Sequence, residues 1–164
     1  MNLRYFSFLL AALLLASLAG TSNVRAGDCA EANTLYQQSV SAGGGDEGLL
    51  KKVIELCPEH TGALNNLALL KEGQGRMGEA EIYYKRAIES DPNNIAPYAG
   101  LGDVLMAQKN FKEAEGAYRI FVEGLVAEKE KGDPLGLAAY EGEYRTRWNK
   151  ARASVLKDQN NVAV

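Results

Sequence analysis

The chain has 164 residues, of which 18 are basic and 21 acidic, for a formal charge of −3. That length supplies one domain's worth of core, and the mildly acidic balance, with no basic stripe, argues against a nucleic-acid partner. A single histidine and the lack of a phosphate-binding glycine loop leave little for catalysis.

The first segment, MNLRYFSFLLAALLLASLAGTSNVRA, sets Arg4 ahead of an apolar run from Tyr5 to Ala19 and closes on Val24-Arg25-Ala26. A basic start, a short apolar stretch and a small residue before the cut are the marks of a cleaved export leader, residues 1–26. Its apolar run of about 15 residues falls short of the roughly 20 a membrane-spanning helix needs. Cys29 follows Ala26-Gly27-Asp28 and lacks the residues that precede a lipidated cysteine. The mature chain of 138 residues carries sixteen bases and twenty-one acids, a formal −5. In an exported chain, Cys29 and Cys57 read most simply as one disulfide. The alternative is a metal site using Cys29, Cys57 and His60, which lacks a fourth ligand and close cysteine spacing.

From Cys29 onward the apolar spacing is helical. It predicts helices over 29–41, 46–57, 61–74, 78–91, 95–108, 111–131 and 134–158, with a flexible tail over 159–164. Asp28 with Glu31 and Asn110 with Glu113 have capping-box spacing, and Asp133-Pro134 reads as an N-cap followed by proline at the first helical position. Glu79, Glu81, Glu113 and Glu115 sit near helix starts, where the dipole favours acids; at i and i+2 they do not form carboxylate pairs.

Within this order a 34-residue period divides the chain into rows 27–60, 61–94 and 95–128. The middle row places Leu64, Leu67, Ala68, Ala80, Tyr84, Ala87 and Pro92 where the last row has Tyr98, Leu101, Gly102, Ala114, Tyr118, Phe121 and Val126. Each row therefore holds two helices with apolar faces, and small residues at Ala68 and Ala80 let two backbones approach while larger ones fill the flanks. Asp91-Pro92 ends the second helix of the middle row. The first row is degenerate, with Thr34 at a usually small position and SAGGGD opening its turn. In the last helix Leu137, Tyr140, Tyr144, Trp148, Ala151 and Val155 recur at steps of three and four. This stripe reads as a cap over the last apolar face, with a ligand platform as the alternative.

The middle row, TGALNNLALLKEGQGRMGEAEIYYKRAIESDPNN, resembles the tetratricopeptide repeat nearly end to end, including Asn66 before Leu67-Ala68 and the closing Asp-Pro-Asn-Asn. Lys71 stands where that family usually has tyrosine. The resemblance implies an all-α fold of antiparallel helix-hairpin repeats over residues 27–158: a degenerate repeat 27–60, repeats 61–94 and 95–128, and a cap helix 134–158. In such hairpins the start of the first helix lies beside the end of the second, which suits a Cys29–Cys57 bridge.

The resemblance also implies a groove lined by the first helices, where a protein or peptide segment binds. Its positions carry over to Gly62, Asn65, Leu69 and Glu72, then Ala96, Ala99, Asp103 and Met106, and in the first row Glu31, Leu35 and Gln38. Asn65, Leu69, Glu72, Ala99, Asp103 and Met106 are the candidate partner-binding residues. Relatives that clamp a terminal carboxylate use lysine, arginine and asparagine; here only Asn65 fits, and two acids oppose it. The expectation is a non-enzymatic interaction module of the bacterial periplasm, without cofactor or metal. The alternative is a permanent subunit of an envelope assembly, for secretion, pilus or cytochrome maturation.

Overall fold

A computed structural model describes residues 26–132 and 137–162. The export leader and the Asp133-Pro134 helix start thus lie outside the described residues, apart from Ala26. The chain forms α1 (Ala26–Ser41), α2 (Glu47–Leu56), α3 (Thr61–Gly73), α4 (Met77–Ser90), α5 (Ala96–Ala107) and α6 (Phe111–Glu130). A 3-10 turn (Leu137–Tyr140) then leads into α7 (Glu141–Val162), and no strand occurs among the described residues. The helices pair as α1/α2, α3/α4 and α5/α6, each hairpin packs on the next, and α7 packs on α6. This is the expected all-α stack.

Local chemistry sets the boundaries. Asp46 caps α2 by accepting from the Leu49 N–H at 3.0 Å. His60 caps α3, its Nδ1 accepting from the Ala63 N–H at 3.1 Å. The turns after α3 and α5 repeat one device: Gly75 and Lys109, 34 residues apart, both take positive φ (74° and 63°). The Arg76 and Asn110 N–H groups then reach back to the Lys71 and Leu105 carbonyls. Left-handed backbone costs a non-glycine residue about 1 kcal/mol, so Lys109 carries strain that Gly75 does not.

Three local expectations are corrected. Helix α1 is already formed at Ala26, so Asp28 lies in its first turn rather than capping it. Asn110 occupies the N-cap of α6 but makes no side-chain capping bond. Helix α7 continues past Asp158 to Val162, because Gln159 and Asn160 include neither proline nor glycine to stop it.

The core follows the repeat. Leu64, Leu67, Ala68, Ala80, Tyr84 and Ala87 are fully buried, and Ala114 and Tyr118 repeat Ala80 and Tyr84. A Cβ at Gly102 would stand 2.5 Å from the Tyr118 ring, so the room its small side leaves is filled by an aromatic ring rather than by a neighbouring backbone. Phe121, in place of the small Ala87, packs edge-on against Tyr144 of α7 with ring centroids 4.5 Å apart. The larger residue thus belongs to the contact with the terminal helix. Lys71 is 1% exposed and reaches back to Glu47 of α2 at 2.7 Å. Hydrogen bonds from Lys51 and then Lys71 hold the Glu47 carboxyl at about 2.

Cys29 and Cys57 are joined, with Cα atoms 4.9 Å apart. Both sulfurs are therefore committed to each other, which sets aside the metal site built on them. The bridge ties α1 to the end of α2 in a hairpin with a thin core: on α1, Ala32 and Ser39 are the buried residues among those described. His60 adds a second tie, its Nε2 meeting Asn33 Oδ1 at 3.0 Å and its ring packing on Tyr36.

Candidate binding cleft

The first helices of the hairpins, α3 and α5, share one face with the terminal segment. Between them lies a cleft of about 450 Å³. Asn65 and Leu69 of α3 form one side, and Ala96, Ala99 and Gly100 of α5 line its middle. Phe121 of α6, with Tyr140 and Tyr144 of the terminal segment, forms the other side, and Tyr84 lies between α3 and α5. Leu69 is 52% exposed and Tyr140 50%, so each leaves a large apolar surface uncovered. The chemistry on offer is shape and apolar contact, with the Asn65 amide and the tyrosine hydroxyls as hydrogen-bonding groups.

The six expected groove residues divide into two groups. Asn65, Leu69 and Ala99 meet in the cleft, although Ala99 is 8% exposed because Phe121 and its neighbours cover it. Glu72, Asp103 and Met106 lie outside its lining. Met106 is half-buried against the central core cluster instead of standing free as an anchor. In the first row Glu31 and Gln38 are exposed, while Leu35 packs on the first core cluster.

The two acids depart most from the expected solvated face. Glu72 Oε2 accepts from the Tyr84 hydroxyl at 2.7 Å. Asp103 Oδ1 accepts from the Tyr118 hydroxyl at 2.6 Å and from Arg147 of α7. Burial, and then the carboxylate each faces, push both tyrosine hydroxyls well above their usual range, so they act as neutral donors. Arg147 also bonds Glu143 and lies over the Tyr144 ring at 4.8 Å from its centroid. The charge of Asp103 is thereby met from within the molecule.

The terminal stripe serves two ends. Ala151 is fully buried, and the Trp148 indole donates to Glu115 at 2.7 Å, as a cap requires. Tyr140 and Tyr144 instead reach the cleft. The sequence offered both residues as part of a cap, with a ligand platform as the alternative, but did not join them to the groove because it assigned the groove to the first helices of the repeats alone. Phe121 at a normally small position was the available signal that α7 sits against that face.

A helical-repeat solenoid with an open cleft on its first-helix face defines the class of protein. Two models of the tetratricopeptide repeat match, over residues 17–95 and 72–119, between them more than half of the chain. The chain belongs to the tetratricopeptide-repeat family. The first match begins at residue 17, inside the segment read as a leader. No curated protein matches by sequence. Among solved structures, the TPR2B domain of yeast Sti1 in its pHsp70 complex is 18% identical with a TM-score of 0.59, covering 78% of this chain and 98% of that one. The TPR2AB domain of yeast Sti1 in its pHSP90 complex is 17% identical with a TM-score of 0.60, covering 93% of this chain. This chain spans 57% of the length of that second structure. At such identities the likeness is one of fold.

Proposed function

We propose that this chain is a non-enzymatic protein-interaction module that holds a protein segment in the cleft between α3, α5 and the terminal segment. One observation carries the reading: an open, largely apolar cleft lies on the face where first helices of such arrays bind their partners. The solved neighbours, which are complexes with pHsp70 and pHSP90, support it. The ligand chemistry differs from a carboxylate clamp, since no lysine or arginine is among the described residues lining the cleft.

The module acts in the bacterial periplasm. The basic-apolar-small pattern of residues 1–26 and a cysteine pair that bonds across α1 and α2 support an exported chain. The mature protein from its native cell then begins at Gly27, which N-terminal sequencing reads directly. Intact residues 1–26 on membrane-bound protein would overturn export.

The test of function is affinity capture from the native envelope fraction, with the intact chain and a Leu69→Ser variant compared by mass spectrometry. A partner held by the parent and lost by the variant supports the cleft. A partner retained by both, at fixed stoichiometry through every purification step, would make the chain a permanent subunit bound through another surface.

A further inference from the structure

The cleft has a definite chemical bias, set by its uncovered surfaces and by the charge beside it. Leu69 and Tyr140 face it from α3 and from the terminal segment, each about half exposed. Between them Ala96, Ala99 and Gly100 offer a floor of small residues. An apolar surface left open on both sides of a small-residue floor gains most from one bulky apolar side chain that contacts all three. The Asn65 amide, beside that floor, has the donors and acceptor to pair with an extended backbone, a contact that is indifferent to sequence.

Charge supplies the second element. Glu72 lies three residues beyond Leu69 on the same helix, and side chains so spaced are neighbours on one face. Its partner is the neutral Tyr84 hydroxyl on Oε2; among the described residues no cation lies within ion-pairing distance of it. Asp103, by contrast, is met by Arg147. Of the two acids on the first helices, it is therefore Glu72 whose charge is left uncompensated.

We propose that the cleft selects a peptide segment that inserts one bulky apolar side chain between Leu69 and Tyr140 and presents a lysine or arginine to Glu72. The inference rests on the cleft reading above and names its ligand class. The terminal segment is then a specificity element as well as a cap, because Tyr140 supplies half of the anchor site. A segment ending in acidic residues is rejected by the same carboxylate.

The probe is a library of random twelve-residue peptides, selected on the intact, disulfide-bonded chain. Enriched peptides are then titrated by fluorescence anisotropy against the parent and against Leu69→Ser, Tyr140→Ser, Glu72→Gln and Leu156→Ser. Leu69, Tyr140 and Leu156 are exposed, and glutamine at residue 72 keeps an acceptor for Tyr84, so the variants fold. The expected peptides share a bulky apolar residue with lysine or arginine nearby. Leu69→Ser and Tyr140→Ser each weaken them about tenfold. Glu72→Gln weakens them about two- to fivefold at low salt and flattens the salt dependence.

Peptides that lack an apolar anchor, or that carry acids in place of the base, and still need Leu69 would overturn this ligand class while leaving the cleft as the site. Peptides indifferent to Leu69 and Tyr140 but lost with Leu156→Ser would overturn the cleft itself. Failure to enrich any peptide, with self-association of the chain abolished by Leu69→Ser, would make a second copy the occupant and overturn the proposal.

Discussion

Arg147 of the terminal helix bonds Asp103 of α5, forty-four residues earlier, on the same carboxylate oxygen that accepts from the Tyr118 hydroxyl. This three-residue contact ties α7 to the last hairpin and removes Asp103 from any attraction of a partner. Asp103→Ala is expected to cost about 1–3 kcal/mol, because a tyrosine hydroxyl and a guanidinium both lose their acceptor. Arg147→Ala costs less, as the guanidinium is partly exposed and its share of the pairing is screened by solvent. Urea unfolding of the two variants and their double mutant measures the coupling; strictly additive effects would mean that the contact contributes nothing.

Two glycines test the packing of the repeat. At Gly100 a Cβ would lie 2.1 Å from Tyr84 Cζ, on a ring that is buried and hydrogen-bonded to Glu72, so Gly100→Ala is expected to destabilise by about 1–3 kcal/mol. At Gly116, within α6, a Cβ meets nothing within 4 Å, and Gly116→Ala is expected to stabilise by about 0.5–1 kcal/mol. Thermal or urea midpoints that move in the same direction for both would place the close contact elsewhere.

Lys109 allows a third substitution on the same reasoning. Its φ of 63° repeats the geometry of Gly75 without the glycine. Lys109→Gly is expected to raise stability by no more than about 0.5 kcal/mol, the cost of left-handed backbone less the freedom glycine gains when unfolded. Gly75→Lys is the reciprocal change and should lose a similar amount by urea unfolding.

The fold was legible because one period of spacing carries it. Ala80, Tyr84, Ala114 and Tyr118 each recur at a fixed offset, and a helix pair is the arrangement that buries them all. The candidate site was legible only where a position faces open space, as at Asn65 and Leu69. Glu72 and Asp103 were expected to stand solvated but are hydrogen-bonded within the molecule, because their partners come from other elements: Tyr84 from α4, Tyr118 from α6 and Arg147 from α7. No local spacing encodes a contact over forty-four residues. Lys71 shows the same thing, since its departure from tyrosine was visible while the acid that balances it, Glu47 on the preceding hairpin, was not. Ala99 lines the cleft as its spacing implied, but it is largely covered, because Phe121 and its neighbours pack over it.

The Cys29–Cys57 bridge closes a loop with a sequence separation of 28. By the loop-entropy model its reduction costs about 3–4 kcal/mol. Because each hairpin contacts only its neighbours, the loss should be local. Amides of α1 and α2 are expected to exchange much faster in reduced protein, while those of α5 and α6 keep their protection. Hydrogen exchange with and without reductant checks this, and uniform loosening along the chain would show that the stack unfolds as one unit.

His60 gives the fold a pH dependence of known sign. In the folded chain its Nδ1 accepts from the Ala63 N–H, which leaves the ring proton on Nε2, directed at Asn33 Oδ1. A second proton would have to sit on Nδ1 and abolish the cap, and burial already pushes the ring's pKa below its usual value. The unfolded chain therefore binds a proton more readily than the folded one. Stability from this group is complete above about pH 6.5 and falls as pH drops through that range, levelling once the folded ring also protonates. Glu47, Glu81 and Glu141 are held below the usual carboxylate range, so their contributions are lost only at lower pH, in a separate window. Melting temperatures of the parent should fall between pH 7.5 and 5.5. His60→Asn, which keeps an N-cap acceptor but does not titrate, should show little change over the same interval. Parallel curves for the two proteins would mean that another group governs that interval and that the ring is not held neutral by its cap.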